Sequence, residues 1–150
     1  MSHCQQPILW VHGYALNPEH PLFTTHPQAP AIFCFDDAWL TREQISLQRI
    51  AFIYECLLDL PVEIRRGDVV EQVLAFAGEH QADGILTTTA VSPGLQQIRQ
   101  QLAAVLPVWT LDPEPFLHYD GPLDLKRFSR YWKTAQDYAW GRGEHKTDQA

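Results

Sequence analysis

Residues 8–23 read ILWVHGYALNPEHPLF, and their interpretation decides the fold. Ile8-Leu9-Trp10-Val11 is an unbroken apolar run that ends at His12-Gly13, and a polar, proline-bounded segment follows. A short continuous run of this kind suits a strand covered on both faces, whereas a half-solvated strand would alternate. Ala31-Ile32-Phe33-Cys34-Phe35 repeats the pattern. Apolar or β-branched runs at 62–65, 84–87 and 108–111 bring the expected strands to five.

Helical spacing fills the intervals. Leu47, Ile50, Ala51, Tyr54, Leu57 and Leu58 recur every three or four residues, which predicts a helix over 46–60 with that stripe against the core. Asp68 with Glu71 three residues on has the form of a capping box, and Val70, Val73, Leu74 and Ala77 supply the stripe behind it. Ser92-Pro93 offers an N-cap and a proline in the first turn, ahead of Leu95, Ile98, Leu102, Val105 and Leu106. A last amphipathic helix is expected within 124–140, ending near Tyr138. Alternating strands and helices predict βαβ units. The expected fold is a three-layer α/β/α sandwich around a five-stranded parallel sheet, Rossmann-like or flavodoxin-like, with strand order 3-2-1-4-5. Residues 1–140 are read as one domain and 141–150 as a disordered polar tail.

Composition narrows the function classes. The 150 residues carry a formal charge of −7, which disfavours free-standing nucleic-acid binding. The charge is uneven: residues 1–123 hold 5 basic and 14 acidic side chains, a balance of −9, whereas 124–150 hold 6 and 4, a balance of +2. No apolar run nears the ~20 residues of a membrane helix, and the N-terminus lacks a basic segment followed by an apolar one, so a soluble cytoplasmic protein is expected. Cys4, Cys34 and Cys56 are odd in number and lack C-x-x-C spacing; Cys34, in a strand-like run, and Cys56, in a helical one, are read as buried, reduced thiols. The histidines are scattered, and no zinc site is expected.

In an open parallel sheet, ligands bind beyond the carboxyl ends of the strands. That places His12 and Gly13 after the first strand, Phe35, Asp36 and Asp37 after the second, and Thr87, Thr88 and Thr89 after the fourth at the candidate binding rim. Gly13 is read as a turn residue needing positive φ. Asp36-Asp37 are either paired carboxylates or a cap for the following turn. No glycine-rich dinucleotide motif or P-loop is present, and no nucleophile has a recognisable base beside it. No catalytic residue is assigned.

Several segments in order resemble the N-terminal α/β domain of DNA photolyases and cryptochromes. Trp10, Glu19, His20 and Pro21 fall on matching positions of the family's opening strand and turn. Ile32-Phe33-Cys34-Phe35-Asp36 is similar to its second strand. Arg49, Phe52, Glu55 and Leu57-Leu58-Asp59-Leu60 resemble its first long helix. Arg66-Gly67-Asp68 with Val73-Leu74, and Gln81-Ala82-Asp83-Gly84-Ile85, match two later motifs. The likeness covers about residues 7–111 and extends toward 128–132. The family's two arginines and aspartate after the first strand are replaced here by His12-Gly13-Tyr14-Ala15-Leu16.

The resemblance implies a non-catalytic accessory module. The flavin adenine dinucleotide and DNA-repair machinery of such proteins lie in a following helical domain, so no FAD and no repair by this chain alone are expected. What it implies instead is an antenna-like site for a deazaflavin or a folate, or docking of a protein partner. By position a deazaflavin would meet His12, Gly13, Phe35, Asp36, Trp39 and 87–89, with Phe35 and Trp39 offering aromatic surface or serving only in packing. Near the C-terminus, Phe128, Arg130, Tyr131 and Trp132 interleave cations with aromatics. They are read as a docking face for a separate protein or a second copy, as a helix closing the domain, or as a nucleic-acid accessory. A nucleotide-binding stress-type protein of similar architecture is the other alternative, although 87–93 lack its glycine-rich phosphate loop.

Overall fold

The computed structural model describes residues 4–115, 117, 119 and 121–140. Strands β1 (Pro7–Val11), β2 (Ala31–Phe35), β3 (Glu63–Arg66), β4 (Gly84–Thr87) and β5 (Val108–Thr110) form one sheet. Their order is β3-β2-β1-β4-β5 and every neighbouring pair is parallel, as expected. The helices are α1 (Pro21–Thr25), α2 (Asp37–Arg42), α3 (Leu47–Leu58), α4 (Val69–Glu79), α5 (Pro93–Ala103) and α6 (Phe128–Ala139). Two compact units divide the chain: Met1–Pro113, with the whole sheet, and Glu114–Ala150, with α6.

The opening run behaves as its composition requires. All five residues of β1 are buried, and they alternate between two cores. Leu9 and Val11 join Phe33, Ile53 and Leu57 on one side. Ile8 and Trp10 join Ile32, Val73, Phe76 and Leu102 on the other. Burying each such side chain contributes about 2 kcal/mol, so the central strand is held by hydrophobic contacts on both faces.

Caps set where the helices begin. Asp36 accepts from the backbone N–H groups of Ala38 and Trp39 at 2.9 and 3.1 Å, starting α2. Ser46 Oγ accepts from Arg49 at 3.2 Å and the Asp68 carboxylate from Glu71 at 2.9 Å, starting α3 and α4. Ser92 occupies the N-cap position of α5 as expected, yet its hydroxyl makes no capping bond.

Four expectations are corrected. Gly13 does not adopt positive φ; among the described glycines only Gly67 does, at +144°. The stripe assigned to α3 is only partly its buried face: Leu57 is buried and Ile50 half-buried as expected, with Ile53 turned inward beside them, while Leu47, Ala51, Tyr54 and Leu58 are exposed. The last helix starts at Phe128 rather than near 124, because Asp124 instead accepts from the Lys126 backbone and pairs with Arg130. Cys34 and Cys56 are free thiols as expected but, like Cys4, are half-buried rather than fully enclosed. The tail at 141–150 lies outside the described residues.

Candidate functional site

The strand order reverses between β1 and β4, so the segments leaving these two strands flank the position where open α/β sheets take ligands. The β1 exit carries His12, which is 5% exposed. Its Nε2 lies 3.2 Å from the Thr88 carbonyl oxygen. A carbonyl only accepts, so Nε2 holds the proton and Nδ1 is left to accept from the Tyr14 N–H at 3.4 Å. Burial holds the His12 ring at a pKa of about 4, with the nearby His20 acting in the same direction and the Thr88 bond opposing. Nε2 of this neutral ring thus ties the β1 exit to the β4 exit, while Nδ1 closes the turn that follows β1.

A carboxylate organises the other side. Asp112, two residues past β5, accepts from Thr88 Oγ1, the Thr89 backbone N–H and Thr89 Oγ1, each at 2.7 Å. Partial burial would raise its pKa, but these donors and His20 outweigh that and hold it below the ordinary value. Thr87 is fully buried and donates to the Trp10 carbonyl at 2.9 Å. The threonine run thus serves the scaffold: one hydroxyl locks β4 to β1 and the others hold Asp112.

His20 has a structural task as well. Its Nδ1 accepts from the Leu22 N–H at 3.2 Å and caps α1. Its Nε2 is buried without a partner among the described residues. Burial lowers its pKa, while Asp112 pulls the other way.

The crevice opens beside this cluster. A cavity of about 380 Å³ lies over the carboxyl ends of β1 and β2, with α3 on one side and α5 on the other. Trp10, Tyr14, Phe33 and Trp39 give it aromatic walls, and Arg49 with Glu43 sets charge in its lining. Glu43 pairs with Arg42 at 3.5 Å, which leaves the exposed Arg49 guanidinium without an ion-pair partner among the described residues. Gly13 also lines the cavity, and a Cβ added there would meet no heavy atom within 4 Å. Its missing side chain keeps the space open; the turn does not require it. Cys34 Sγ donates to the Gly67 carbonyl at 3.3 Å, and burial raises its pKa to about 11, so the thiol in this wall is a poor nucleophile.

Of the residues expected at the rim, His12, Gly13 and Trp39 come together in the crevice. The others disperse. Phe35 and Asp37 border a separate groove at the β3 edge, and Asp37 pairs with Arg66 at 2.7 Å. Asp36 is the α2 cap, so the two carboxylates are not a coupled pair. Thr87, Thr88 and Thr89 support the rim without lining the cavity. In the second unit, Phe128 stacks on Trp132 at 6.0 Å, with Tyr131 at 6.3 Å and Arg130 paired to Asp124 at 3.1 Å.

Reading the sequence missed Asp112, whose position just past β5 was the available signal. It also missed Tyr14, Cys34 and Glu43 as lining residues; Tyr14 was the most accessible, lying two residues beyond His12. Among the described residues, no group of three or more His, Cys, Asp or Glu side chains could hold a metal, and no helix is long and apolar enough to cross a membrane. No family model matches this chain and no curated protein matches it.

Proposed function

We propose that this chain is a non-catalytic ligand-binding module resembling the photolyase and cryptochrome N-terminal domain, and that its strand-end crevice takes a planar aromatic small molecule such as a deazaflavin or a folate. The observation that carries the reading is the cavity of about 380 Å³ with Trp10, Tyr14, Phe33 and Trp39 in its walls and, in its lining, Arg49, which has no ion-pair partner among the described residues. Cavities that enclose drug-sized ligands begin near this size, about 300 Å³, and combine apolar walls with a few polar anchors. An aromatic ring would stack on the Trp39 indole or the Tyr14 ring, and an acidic substituent would meet Arg49.

The non-catalytic part is supported by the roles of the nearby polar groups. His12 has both ring nitrogens engaged, Cys34 is held as a thiol, and Asp112 is committed to the two threonines. The nucleotide alternative has less support. The Thr89 N–H, which a phosphate after β4 would need, is bonded to Asp112, whose charge would repel it.

Gel filtration of the purified protein mixed with a deazaflavin or a folate tests the reading. One of the two chromophores should elute with the protein and quench its tryptophan fluorescence. Gly13→Phe fills the open side of the crevice and should abolish both effects while leaving the melting temperature unchanged. If neither chromophore co-elutes, and native mass spectrometry of gently purified protein shows no bound small molecule, the proposal fails.

A further inference from the structure

The groove at the β3 edge is separate from the crevice and has its own chemistry. On α3, Leu47 is 80% exposed, Tyr54 48% and Leu58 64%, although their spacing is that of a buried stripe. Beside them Phe35, Leu40, Ile50 and Ile64 line an apolar groove of about 520 Å³ rimmed by Asp37, Arg65 and Arg66. β3 borders this groove and, among the described residues, has a strand neighbour only on its β2 side. The Gly67 N–H donates to the Phe35 carbonyl at 2.9 Å, and Phe35 is in register with Arg66. Strand alternation then directs the peptide groups of Glu63 and Arg65 toward β2 and those of Ile64 and Arg66 away from the sheet. An uncovered apolar stripe, an apolar groove and an open strand edge are therefore contiguous.

We propose that this edge is the interface of a two-fold homodimer, in which β3 pairs antiparallel with β3 of a second copy about Ile64. The occupant follows from self-complementarity, which a two-fold interface requires. With the axis at Ile64, the outward N–H and C=O groups of the two Ile64 residues satisfy each other. Within each chain Arg65 already pairs with Glu63 and with Glu79, each at 2.6 Å; the same register sets Glu63 opposite Arg65 of the second copy, twice, and so extends that alternation of charge across the joint. A neighbouring in-phase register, with the axis at Arg65, sets the two Arg65 side chains opposite each other and leaves no Glu63–Arg65 pair across the joint, which is the less favourable cross-strand pairing. Side-chain alternation places Ile64 on the α3 side of the sheet and Arg65 over the Phe76 ring at 5.1 Å on the α4 side. Pairing therefore brings both grooves and both exposed α3 stripes to one side of a joined ten-stranded sheet. Burying those stripes supplies the hydrophobic drive that a four-residue edge strand lacks by itself.

Sedimentation velocity of the full chain from about 1 μM to about 1 mM spans firm to weak association and tests this interface. A concentration-dependent dimer is expected. Tyr54→Lys and Leu58→Lys, both at exposed positions, should each weaken it at least tenfold without changing the circular dichroism spectrum or the melting temperature measured at dilutions where the native protein is monomeric. The amides of Ile64 and Arg66 should become protected from hydrogen exchange as the concentration rises. A monomer throughout the range overturns the proposal. So does a dimer that both lysine variants leave intact, or one in which the Ile64 and Arg66 amides exchange as in the monomer.

Discussion

Acid should loosen the rim of the sheet through His12. In the folded protein its ring has a pKa of about 4, against an ordinary 6.5, chiefly because the site excludes water. Above pH 6.5 the ring is neutral in folded and unfolded chains, and stability is insensitive to it. As the pH falls through 6.5 the unfolded chain takes up a proton that the folded one refuses, so stability is lost; below about 4 both forms are charged and the loss levels off. The gap between the two values corresponds to about 3 kcal/mol, a large part of a small domain's stability of about 5–15 kcal/mol. His20 is lowered too and adds to the loss in the same direction. Asp37, Glu79, Asp83 and Asp112 are held below their ordinary values, so their contributions fade only at more acidic pH, below about 4. The interval between pH 6.5 and 4.5 therefore belongs mainly to the buried rings. Urea unfolding across pH 8 to 4.5 should show a steepening decline in the native protein. In His12→Gln, where an amide can still donate to the Thr88 carbonyl, stability at pH 8 should fall by about 1 kcal/mol and the acid slope should lose up to one proton. Parallel pH curves for the two proteins would refute the reasoning, as would an NMR titration placing His12 near 6.5.

Three further outcomes follow from the contacts. Asp112→Asn leaves one acceptor oxygen where two now receive three donors and should cost about 2–3 kcal/mol in urea unfolding. Gly84→Ala would set a Cβ 2.2 Å from Cζ3 of Trp109 and 2.9 Å from Cys4 Sγ. The indole must move, so the substitution should cost about 1–3 kcal/mol and alter the near-ultraviolet tryptophan signal. Asp68→Ala removes a working N-cap and should cost about 1 kcal/mol, whereas Ser92→Ala should be close to neutral because its hydroxyl makes no capping bond. Equal losses from both alanine substitutions would contradict these cap assignments.

The features legible in the sequence were those encoded by near neighbours. Ile8-Leu9-Trp10-Val11 could only be a two-sided strand, because no polar residue marks a wet face. Asp68 before an apolar stripe could be read as a cap without knowing what the stripe packs on. The binding rim was legible only as a place. Its working residues depend on which strand exits converge, and Asp112 reaches Thr88 and Thr89 across 24 and 23 residues of chain. Gly13 shows the same limit: turn chemistry offered a local reason for the glycine, while the structure offers a spatial one, the open side of a cavity.

The α3 stripe failed differently. Periodicity identifies a face that avoids water but not the partner that shields it. On α3 two apolar faces share twelve residues: Ile53 and Leu57 pack on the sheet, while Leu47, Ala51 and Tyr54 line the groove at the β3 edge and Leu58 is exposed one turn beyond Tyr54. A helix with only one apolar face would satisfy a single sheet and need nothing else. A second face beside an unpaired edge strand places apolar side chains and unsatisfied peptide groups at one boundary, and a second copy in antiparallel register would cover both together. Tyr54→Lys is the sharper of the two lysine variants, because Tyr54 lines the groove itself and stands outside the Ile53–Leu57 core. A loss of dimer with an unchanged melting temperature of the dilute monomer would separate the face that holds the fold from the face that holds the partner, whereas a fall in the monomer's own stability would mean that α3 has only one face.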